Sequence, residues 1–224
     1  MGSMRSTDEI LGAAIRHLNA EPTASMAQLA EAAGVSRATL HRHFASREDL
    51  LRALGERATR RWEESQDAAG IDDAAASGDP DRLAAALRAM LTAFVVDADD
   101  FGFALTDHFV NRVPELVAWG ARLEEREIAF YAACQSAGVL RADLPVRWVS
   151  NTVYGLMISV RESLRRGDVA HRDVADLAID TFLAGAAPLP TENSRMRRTA
   201  DRSHRAAAPR TPTDAGRTRQ GFDL

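Results

Sequence analysis

The sequence contains no lysine, so all 28 of its basic residues are arginine. It has a single cysteine, Cys134, which excludes an internal disulfide bond and fits a reducing compartment. We expect Cys134 to be a small buried apolar residue, as most free cysteines are. No apolar run approaches the ~18 residues that a transmembrane helix needs, and no secretory signal is recognisable. The sequence therefore predicts a cytoplasmic protein with no membrane contact.

Motifs of the common catalytic classes are also missing. There is no His-Glu-x-x-His, no glycine-rich phosphate loop, no nucleophile elbow and no pair of cysteines. His41 and His43 lie two residues apart on a predicted helix, so their side chains diverge by roughly 200° and cannot share a metal ion. The acids Glu124, Glu125 and Glu127 are expected on a solvated helix face. We therefore expect no enzyme activity, no cofactor and no metal site.

Charge is distributed unevenly along the 224 residues, although the net charge is only −4. Residues 1–61 carry nine arginines against seven acids, and residues 62–190 carry eleven against twenty-one. Residues 191–224 carry eight arginines against four acids. An anionic polymer would therefore be attracted to the two ends of the chain and repelled by its middle.

Apolar residues recur at helical spacing in almost every periodic segment, which predicts an all-α fold. Four helices are expected in the first sixty or so residues, because a serine that can cap a helix precedes each of them. These serines are Ser6, Ser25, Ser36 and Ser46. A loop is predicted over 67–80, rich in Ala, Gly and Asp. Further helices are predicted over about 83–96, 101–110, 114–137 and 172–184, and one with Asp143 as its cap runs to about Arg166.

Two short helices on either side of Gly34 meet the steric requirements of a helix-turn-helix. Ala30 places a small side chain where the helices cross, and Gly34 tolerates the positive φ that the turn needs. Leu40 and Phe44 then face inward and bury the second helix against the first. The segment AGVSRATLHRHF, residues 33–44, is thus predicted to hold a fixed helix with one exposed face.

The exposed face of that second helix is short and polar, with arginine as its largest side chain. A major groove about 12 Å wide accepts such a face, and arginine can bond guanine in bidentate fashion. Ser25 and Arg47 are placed to contact phosphates on either side. The predicted DNA-binding residues are Ser25, Ser36, Arg37, Ala38, Thr39, His41, Arg42 and Arg47.

Residues 25–54, SMAQLAEAAGVSRATLHRHFASREDLLRAL, resemble the DNA-binding segment of the TetR family of transcriptional regulators. This sequence departs from the family pattern at His41, where tyrosine is usual, and at Arg47, where lysine is usual. The resemblance covers about the first sixty residues, and the remainder is similar to the family only in helical layout and length. The matching positions are Ser25, Leu29, Ala30, Ala33, Gly34, Val35, Ser36, Thr39, Leu40, Phe44, Ser46 and Leu50.

The resemblance implies a homodimeric repressor that binds a double-stranded DNA operator and is released by a small molecule. In that family the ligand moves the fourth helix and changes the separation of the two recognition helices. Those helices must lie one DNA turn apart, ~34–36 Å or a multiple, which predicts a palindromic operator. The implied domains are a three-helix helix-turn-helix domain over 4–61 and a helical ligand-binding and dimerisation domain over 62–187. A disordered basic tail follows over 188–224.

Ten of the thirteen aromatic residues lie between Trp62 and Tyr154, within the second predicted domain. These residues, with two methionines, could line an apolar cavity, although side chains of this kind are more often plain core. By analogy with the family, an apolar effector is expected. The candidate effector contacts are Met90, Phe94, Phe103, His108, Phe130, Tyr131 and Met157.

Dimerisation is expected through the last two helices, which would form a four-helix interface with those of a second subunit. The candidate interface residues are Trp148, Thr152, Leu156, Val160, Val174, Leu177 and Phe182.

Two other interpretations remain open at this stage. The arginines of residues 33–47 could simply decorate a solvated helix face. A helical protein of the same fold could also serve as an interaction module without specific DNA binding, and His41 keeps that alternative open.

Overall fold

The computed structural model describes residues 5–106 and 112–188. His108 and residues 189–224, for which we predicted an effector contact and a disordered tail, lie outside these ranges. The described part of the chain forms ten α-helices and no strand, which confirms the all-α prediction. The helices are α1 Thr7–Ala20, α2 Met26–Ala32, α3 Arg37–His43, α4 Arg47–Ala69, α5 Ile71–Ser77, α6 Pro80–Asp100, α7 Gly102–Thr106, α8 Pro114–Ser136, α9 Val146–Arg166 and α10 His171–Ala186. None of these ten is both long and apolar enough to cross a bilayer.

Four serines cap the first four helices, as predicted from their positions. In each case the hydroxyl accepts a hydrogen bond from the backbone N–H three residues later, which satisfies one free donor of the first turn. At α1, α2 and α4, the side chain of the residue three positions after the serine also accepts a hydrogen bond from the backbone N–H of the serine, which completes a capping box. The pairs are Ser6–Glu9, Ser25–Gln28, Ser36–Thr39 and Ser46–Asp49.

The turn between α2 and α3 is a Schellman motif built on Gly34, whose φ is +61°. The N–H of Gly34 donates to the carbonyl of Glu31 at 2.9 Å, and the N–H of Val35 donates to the carbonyl of Ala30 at 3.0 Å. Ala30 and Leu40 are buried where the two helices cross. Local chemistry and packing therefore fix the position of α3 relative to α2.

The predicted loop over 67–80 is wrong. Helix α4 continues to Ala69, and α5 occupies Ile71–Ser77. The two helices are separated only by Gly70, whose φ of +64° breaks the helical path. Ile71 and Ala74 are buried in the core, so packing against neighbouring helices stabilises a segment whose composition resembles a loop.

The predicted capping role of Asp143 is also wrong. Helix α9 begins at Val146, and Pro145 stands at its N-cap position without a side-chain cap. The carboxylate of Asp143 instead forms a bidentate ion pair with the guanidinium of Arg141, two residues earlier. A charged partner so close in sequence takes the carboxylate away from the free N–H groups of the helix.

Buried side chains form two hydrophobic cores. The first core lies among α1–α4 and also takes in Phe103, Val113 and Leu116. The second core gathers residues of α5, α6, α8, α9 and α10, with buried Cys134 among them as predicted. Helix α4 contributes to the first core through its N-terminal half and contacts the second through Trp62. The predicted domain boundary at residue 61 thus falls within one continuous helix.

Gly34→Ala should destabilise the protein by about 1–2 kcal/mol, because a side chain disfavours the left-handed backbone that this turn requires. The added Cβ would meet only the flexible side chain of Arg5, at 3.3 Å, so backbone strain should dominate. Urea unfolding measures the change. The matched control is Gly12→Ala in α1, where helical backbone and an open environment predict a neutral or slightly stabilising effect. Equal effects of both substitutions would contradict this role for Gly34.

Candidate functional site

Helix α3 presents a polar face to solvent. Arg37, Ala38, His41 and Arg42 are exposed, and Thr39 is half-buried. Their exposure agrees with the orientation that the helical pattern predicts, in which Leu40 is the residue that points inward. The other side chains of this face are smaller than arginine, and both arginines are exposed, so the face can enter a groove of DNA.

The position of α3 is fixed by contacts at both of its ends. At the start, the hydroxyls of Ser36 and Thr39 lie 2.9 Å apart, and Ser36 accepts the N–H of Thr39 at 3.0 Å. At the end, Nδ1 of His43 lies 3.0 Å from the hydroxyl of Thr7 in α1. Phe44 is buried immediately after the helix. A helix held in this way can offer its outer face without rearranging, which reduces the entropy lost on binding.

The two predicted phosphate contacts flanking α3 differ in their surroundings. Ser25 is exposed at the start of α2, where its hydroxyl is engaged with Gln28. Arg47 is half-buried, and its guanidinium donates to the carbonyls of Ala24 at 2.6 Å and Pro22 at 3.2 Å. Arg47 therefore ties the start of α4 to the α1–α2 loop, and only its remaining N–H groups are left for a phosphate.

A cavity of about 550 Å³ lies among α4, α6, α7, α8 and α9, within the usual size range of ligand sites. Much of its wall is apolar or aromatic, including Trp62, Phe94, Phe101 and Met157. Such a wall favours a flat, lipophilic molecule, because aromatic side chains stack on planar ligands.

The charged residues of the cavity wall are all acidic. Asp97, Glu124 and Glu127 line it, and no basic residue is found among the lining residues that the structure describes. Asp97 is paired with Arg61 at 2.7 Å, and Glu124 lies 3.7 Å from Arg147. No ion pair to Glu127 occurs within residues 5–106 and 112–188.

Glu127 is buried on α8 and held by hydrogen bonds from neutral groups. Its Oε1 accepts from Nε1 of Trp62 and from Nε2 of Gln66, the latter at 2.8 Å. The hydroxyl of Tyr131 donates to Oε2 at 3.4 Å. Burial raises the pKa of Glu127 to about 7, against the lowering effect of these three bonds. Because burial destabilises the ionised form of this carboxyl group, a cationic partner would stabilise that form strongly.

Asp97 on α6 is the second carboxylate that joins the cavity to α4. Its Oδ1 accepts from Nε of Arg61, and its Oδ2 accepts from the hydroxyl of Ser65 at 2.6 Å. Burial raises the pKa of Asp97 above its ordinary value even though both bonds favour the charged form.

The structure separates the predicted effector contacts into two groups. Phe94 and Met157 line the cavity. Met90, Phe130 and Tyr131 are packed in the second core, Phe103 lies in the first core, and none of the four is on the wall. These four side chains are largely or wholly surrounded by other side chains, which is the usual state of aromatic and methionine residues at helical spacing.

Sequence reasoning missed the acidic part of the wall. Glu127 is only 4% exposed, so its predicted place on a solvated helix face is wrong, whereas Glu125 is exposed as expected. A signal was present in the spacing, because Glu127 lies at helical intervals from the buried residues Leu123, Phe130 and Cys134. An acid on the apolar stripe of a helix indicates a partner across that face.

A protein-family model described as "Bacterial regulatory proteins, tetR family" matches residues 10–54. These residues include α2, the Gly34 turn and the exposed helix α3. The chain therefore carries a segment that matches the DNA-binding part of TetR-family regulators. It is accordingly a DNA-binding transcriptional regulator and not an enzyme. Regulators of this family bind DNA operators and act as dimers with small-molecule effectors.

Similarity to individual TetR-family regulators extends over most of the chain. The repressor LfrR of Mycolicibacterium smegmatis is 28% identical over 186 residues, which cover 83% of this chain and 93% of LfrR. The regulator NfxB of Pseudomonas aeruginosa is 29% identical over 168 residues, covering 74% and 86%. A crystal structure of LfrR in complex with proflavine superposes with a TM-score of 0.60 at 27% identity, covering 82% of this chain and 98% of that one.

The predicted dimer contacts also fall into two groups. Trp148 and Leu177 are large apolar residues that are 61% and 53% exposed, and Thr152 is exposed beside them. A groove between α9 and α10 is lined by Trp148, Thr152, Leu156 and Phe182. Val160 and Val174 are buried among the side chains of their own chain.

Within the described ranges, no three His, Cys, Asp or Glu side chains come together as a possible metal-ligand group. His41 is exposed on α3, whereas His43 contacts Thr7 at the start of α1.

Glu127→Gln should change how the stability of this regulator depends on pH. A carboxyl with a folded pKa of about 7 and an ordinary pKa of 4.5 favours folding in its neutral form. The natural protein loses this contribution to its unfolding free energy as the pH rises from about 4.5 through about 7. The amide of the variant does not titrate, so the variant loses no stability in this way. The unfolding free energy of the variant, relative to the natural protein, should therefore rise between pH 5 and pH 8, by up to about 3 kcal/mol.

Urea unfolding of the two proteins across this pH range measures the difference. Glu125→Gln serves as the control, because Glu125 is an exposed acid on the same helix and should show little pH-dependent difference. Parallel curves for the natural protein and Glu127→Gln would contradict the raised pKa.

Proposed function

We propose that the protein is a cytoplasmic, ligand-released repressor that binds a palindromic operator as a homodimer. Residues 4–61 would read the operator, and residues 62–187 would bind the effector and the second subunit. Loss of operator binding when the effector occupies the cavity would switch the regulated gene on. The observation that carries the effector part of this proposal is the buried Glu127, without a basic partner among the described residues, in the wall of an aromatic cavity.

Operator recognition would depend on the exposed face of α3. Arg37 and Arg42 are exposed and can each bond guanine in the major groove. Thr39 can contact a thymine methyl group, although its hydroxyl is engaged with Ser36. His41, Ser25 and the remaining N–H groups of Arg47 would contact phosphates, which position the helix without reading sequence.

Dimerisation would bury the exposed apolar surface of α9 and α10. Trp148 and Leu177 lie on these two helices, and large exposed residues of this kind are enriched at subunit interfaces. The groove lined by Leu156 and Phe182 would receive side chains from the second subunit. An isologous pairing of this face would place two copies of α3 on the same DNA.

The effector would be a planar lipophilic cation and not the purely apolar compound that the sequence suggested. Trp62, Phe94 and Phe101 supply aromatic faces for a flat ring system, and cations bind such faces favourably. Glu127 supplies a negative charge that no arginine neutralises within the described residues. The relative LfrR, crystallised with the dye proflavine, supports this class of ligand.

Selection of bound sequences from random DNA should return an inverted repeat whose half-site centres lie ~34–36 Å apart or a multiple of that distance. Arg42→Ala should then weaken binding to the selected operator by about 5- to 150-fold, the value of one bidentate contact to guanine. A second selection with this variant should show a relaxed preference at one position in each half-site. The salt dependence should stay nearly the same, because a contact to a base edge releases few counterions.

Arg88→Ala is the matched control, since Arg88 is an exposed arginine on α6 in the other half of the molecule and its loss should leave affinity unchanged. Binding that falls with salt but prefers no sequence would refute operator recognition. That result would favour the alternative of an interaction module with the same fold.

Proflavine, a planar dye that is cationic near neutral pH, should bind the protein more tightly as the pH rises through about 7. The reason is that Glu127 must be ionised to attract it, and the pKa of Glu127 is about 7. Glu127→Gln should weaken binding at pH 8 by about 10- to 100-fold and remove most of the pH dependence. Fluorescence anisotropy of the dye measures both effects.

Acridone, a neutral molecule of similar shape, tests whether charge matters. Equal affinity for acridone and proflavine, without pH dependence, would contradict the cationic effector and favour the purely apolar one.

A further inference from the structure

Two polar residues of α4 bond to Asp97, which lies on α6 in the wall of the cavity. Nε of Arg61 donates to Oδ1 at 2.7 Å, and the hydroxyl of Ser65 donates to Oδ2 at 2.6 Å. Arg61 and Ser65 are four residues apart, so they lie one above the other on one side of the helix. Both oxygens of Asp97 are therefore occupied by α4.

The next pair on α4 bonds in the same way to Glu127 on α8. Nε1 of Trp62 and Nε2 of Gln66 both donate to Oε1 of Glu127. Trp62 and Glu127 both line the cavity, so this bond lies at the cavity wall. Ser65 and Gln66 are almost completely buried, at 1% and 0% exposed, so their donors need acceptors within the protein. Nε2 of Gln66 divides its two N–H groups between Glu127 and the carbonyl of Leu123, the latter at 3.2 Å.

Helix α4 connects these bonds to the DNA-binding part of the chain. It has 23 residues, a length of about 35 Å. Leu50 and Leu54, in its first half, are buried in the same core as Leu40 of α3. A shift at the end that holds Ser65 and Gln66 therefore moves the support on which α3 rests.

We propose that Asp97 and Glu127 form a clamp that holds α4 in its DNA-binding position and releases it when a cation occupies the cavity. The inference rests on the proposed function, since it requires a cationic effector at this site. The cation and the four hydrogen-bond donors of α4 compete for the same carboxylate oxygens, and a charged ligand is a strong competitor for them. Each bond that α4 loses leaves a buried donor without a partner, which favours a different position of the helix.

Two single variants test the clamp while leaving both carboxylates in place. Ser65→Ala removes the donor to Asp97, and Gln66→Met removes a donor to Glu127 at similar volume. Each should bind proflavine more tightly than the natural protein, by about three- to tenfold, because the dye no longer displaces an α4 bond. Each should also bind the selected operator more weakly without the dye, by a similar factor, since the two affinities are linked. A merely structural role would weaken both affinities.

Ser136→Ala is the matched control, because it also removes a serine hydroxyl. Ser136 is exposed on α8, does not line the cavity, and donates its hydroxyl to the carbonyl of Ala132 within its own helix. The proflavine and operator affinities of this variant should equal those of the natural protein. If Ser65→Ala and Gln66→Met bind the dye no more tightly than this control does, the clamp is refuted and the cation site stands. If the natural protein does not bind proflavine, the cationic effector is refuted, and the clamp with it.

Hydrogen exchange of the natural protein gives a second measurement that needs no variant. Proflavine should speed exchange of the α4 backbone amides from Arg61 to Ala69, while amides of α6 and α8 in the cavity wall should become more protected. Unchanged or slower exchange in this part of α4 on binding of the dye would overturn the clamp, even if one of the variants fails to fold.

Discussion

The continuity of helix α4 is the constraint on which both halves of the molecule depend. Leu50, Leu51 and Leu54 belong to the core beneath the DNA-binding helix, whereas Ser65 and Gln66 are buried against α6 and α8. The first half is held by apolar burial, which is strong and does not depend on direction. The second half is held by hydrogen bonds to carboxylates, which depend on geometry and on charge. A helix anchored in these two ways can be loosened at one end without unfolding the other.

Burial of two carboxylates has a physical cost, and the raised pKa values of Asp97 and Glu127 express it. Well-packed apolar residues in their place would often give equal or greater stability. An apolar contact, however, could not respond to the charge of a molecule in the cavity. We therefore interpret the two acids as the parts of the fold where stability is exchanged for sensitivity to a ligand.

Local sequence signals predicted the elements whose geometry is decided locally. The four capping serines and Gly34 act within three or four residues of themselves, so their roles in α1–α4 could be deduced from spacing alone. The helical state of α5 and the burial of Glu127 could not be deduced from spacing, because both depend on partners distant in sequence. The segment with Ile71 and Ala74 is helical because other helices cover these two side chains. Glu127 is buried because Trp62 and Gln66 of α4 donate hydrogen bonds to it. The same dependence explains why, of the six predicted effector contacts that the structure describes, Phe94 and Met157 lie on the cavity wall and four do not.

The uneven charge of the sequence acquires a meaning once the two sites are located. Arginine exceeds acid over residues 1–61, where α3 presents Arg37 and Arg42, and this excess attracts a polyanion. Acid exceeds arginine by ten over residues 62–190, where the cavity carries Glu124 and Glu127, and this excess attracts small cations and repels DNA. DNA and the proposed cationic effector carry opposite charges, so each would be drawn to its own site and kept from the other. Competition between them must then pass through the protein, and α4 is an element that contacts both regions.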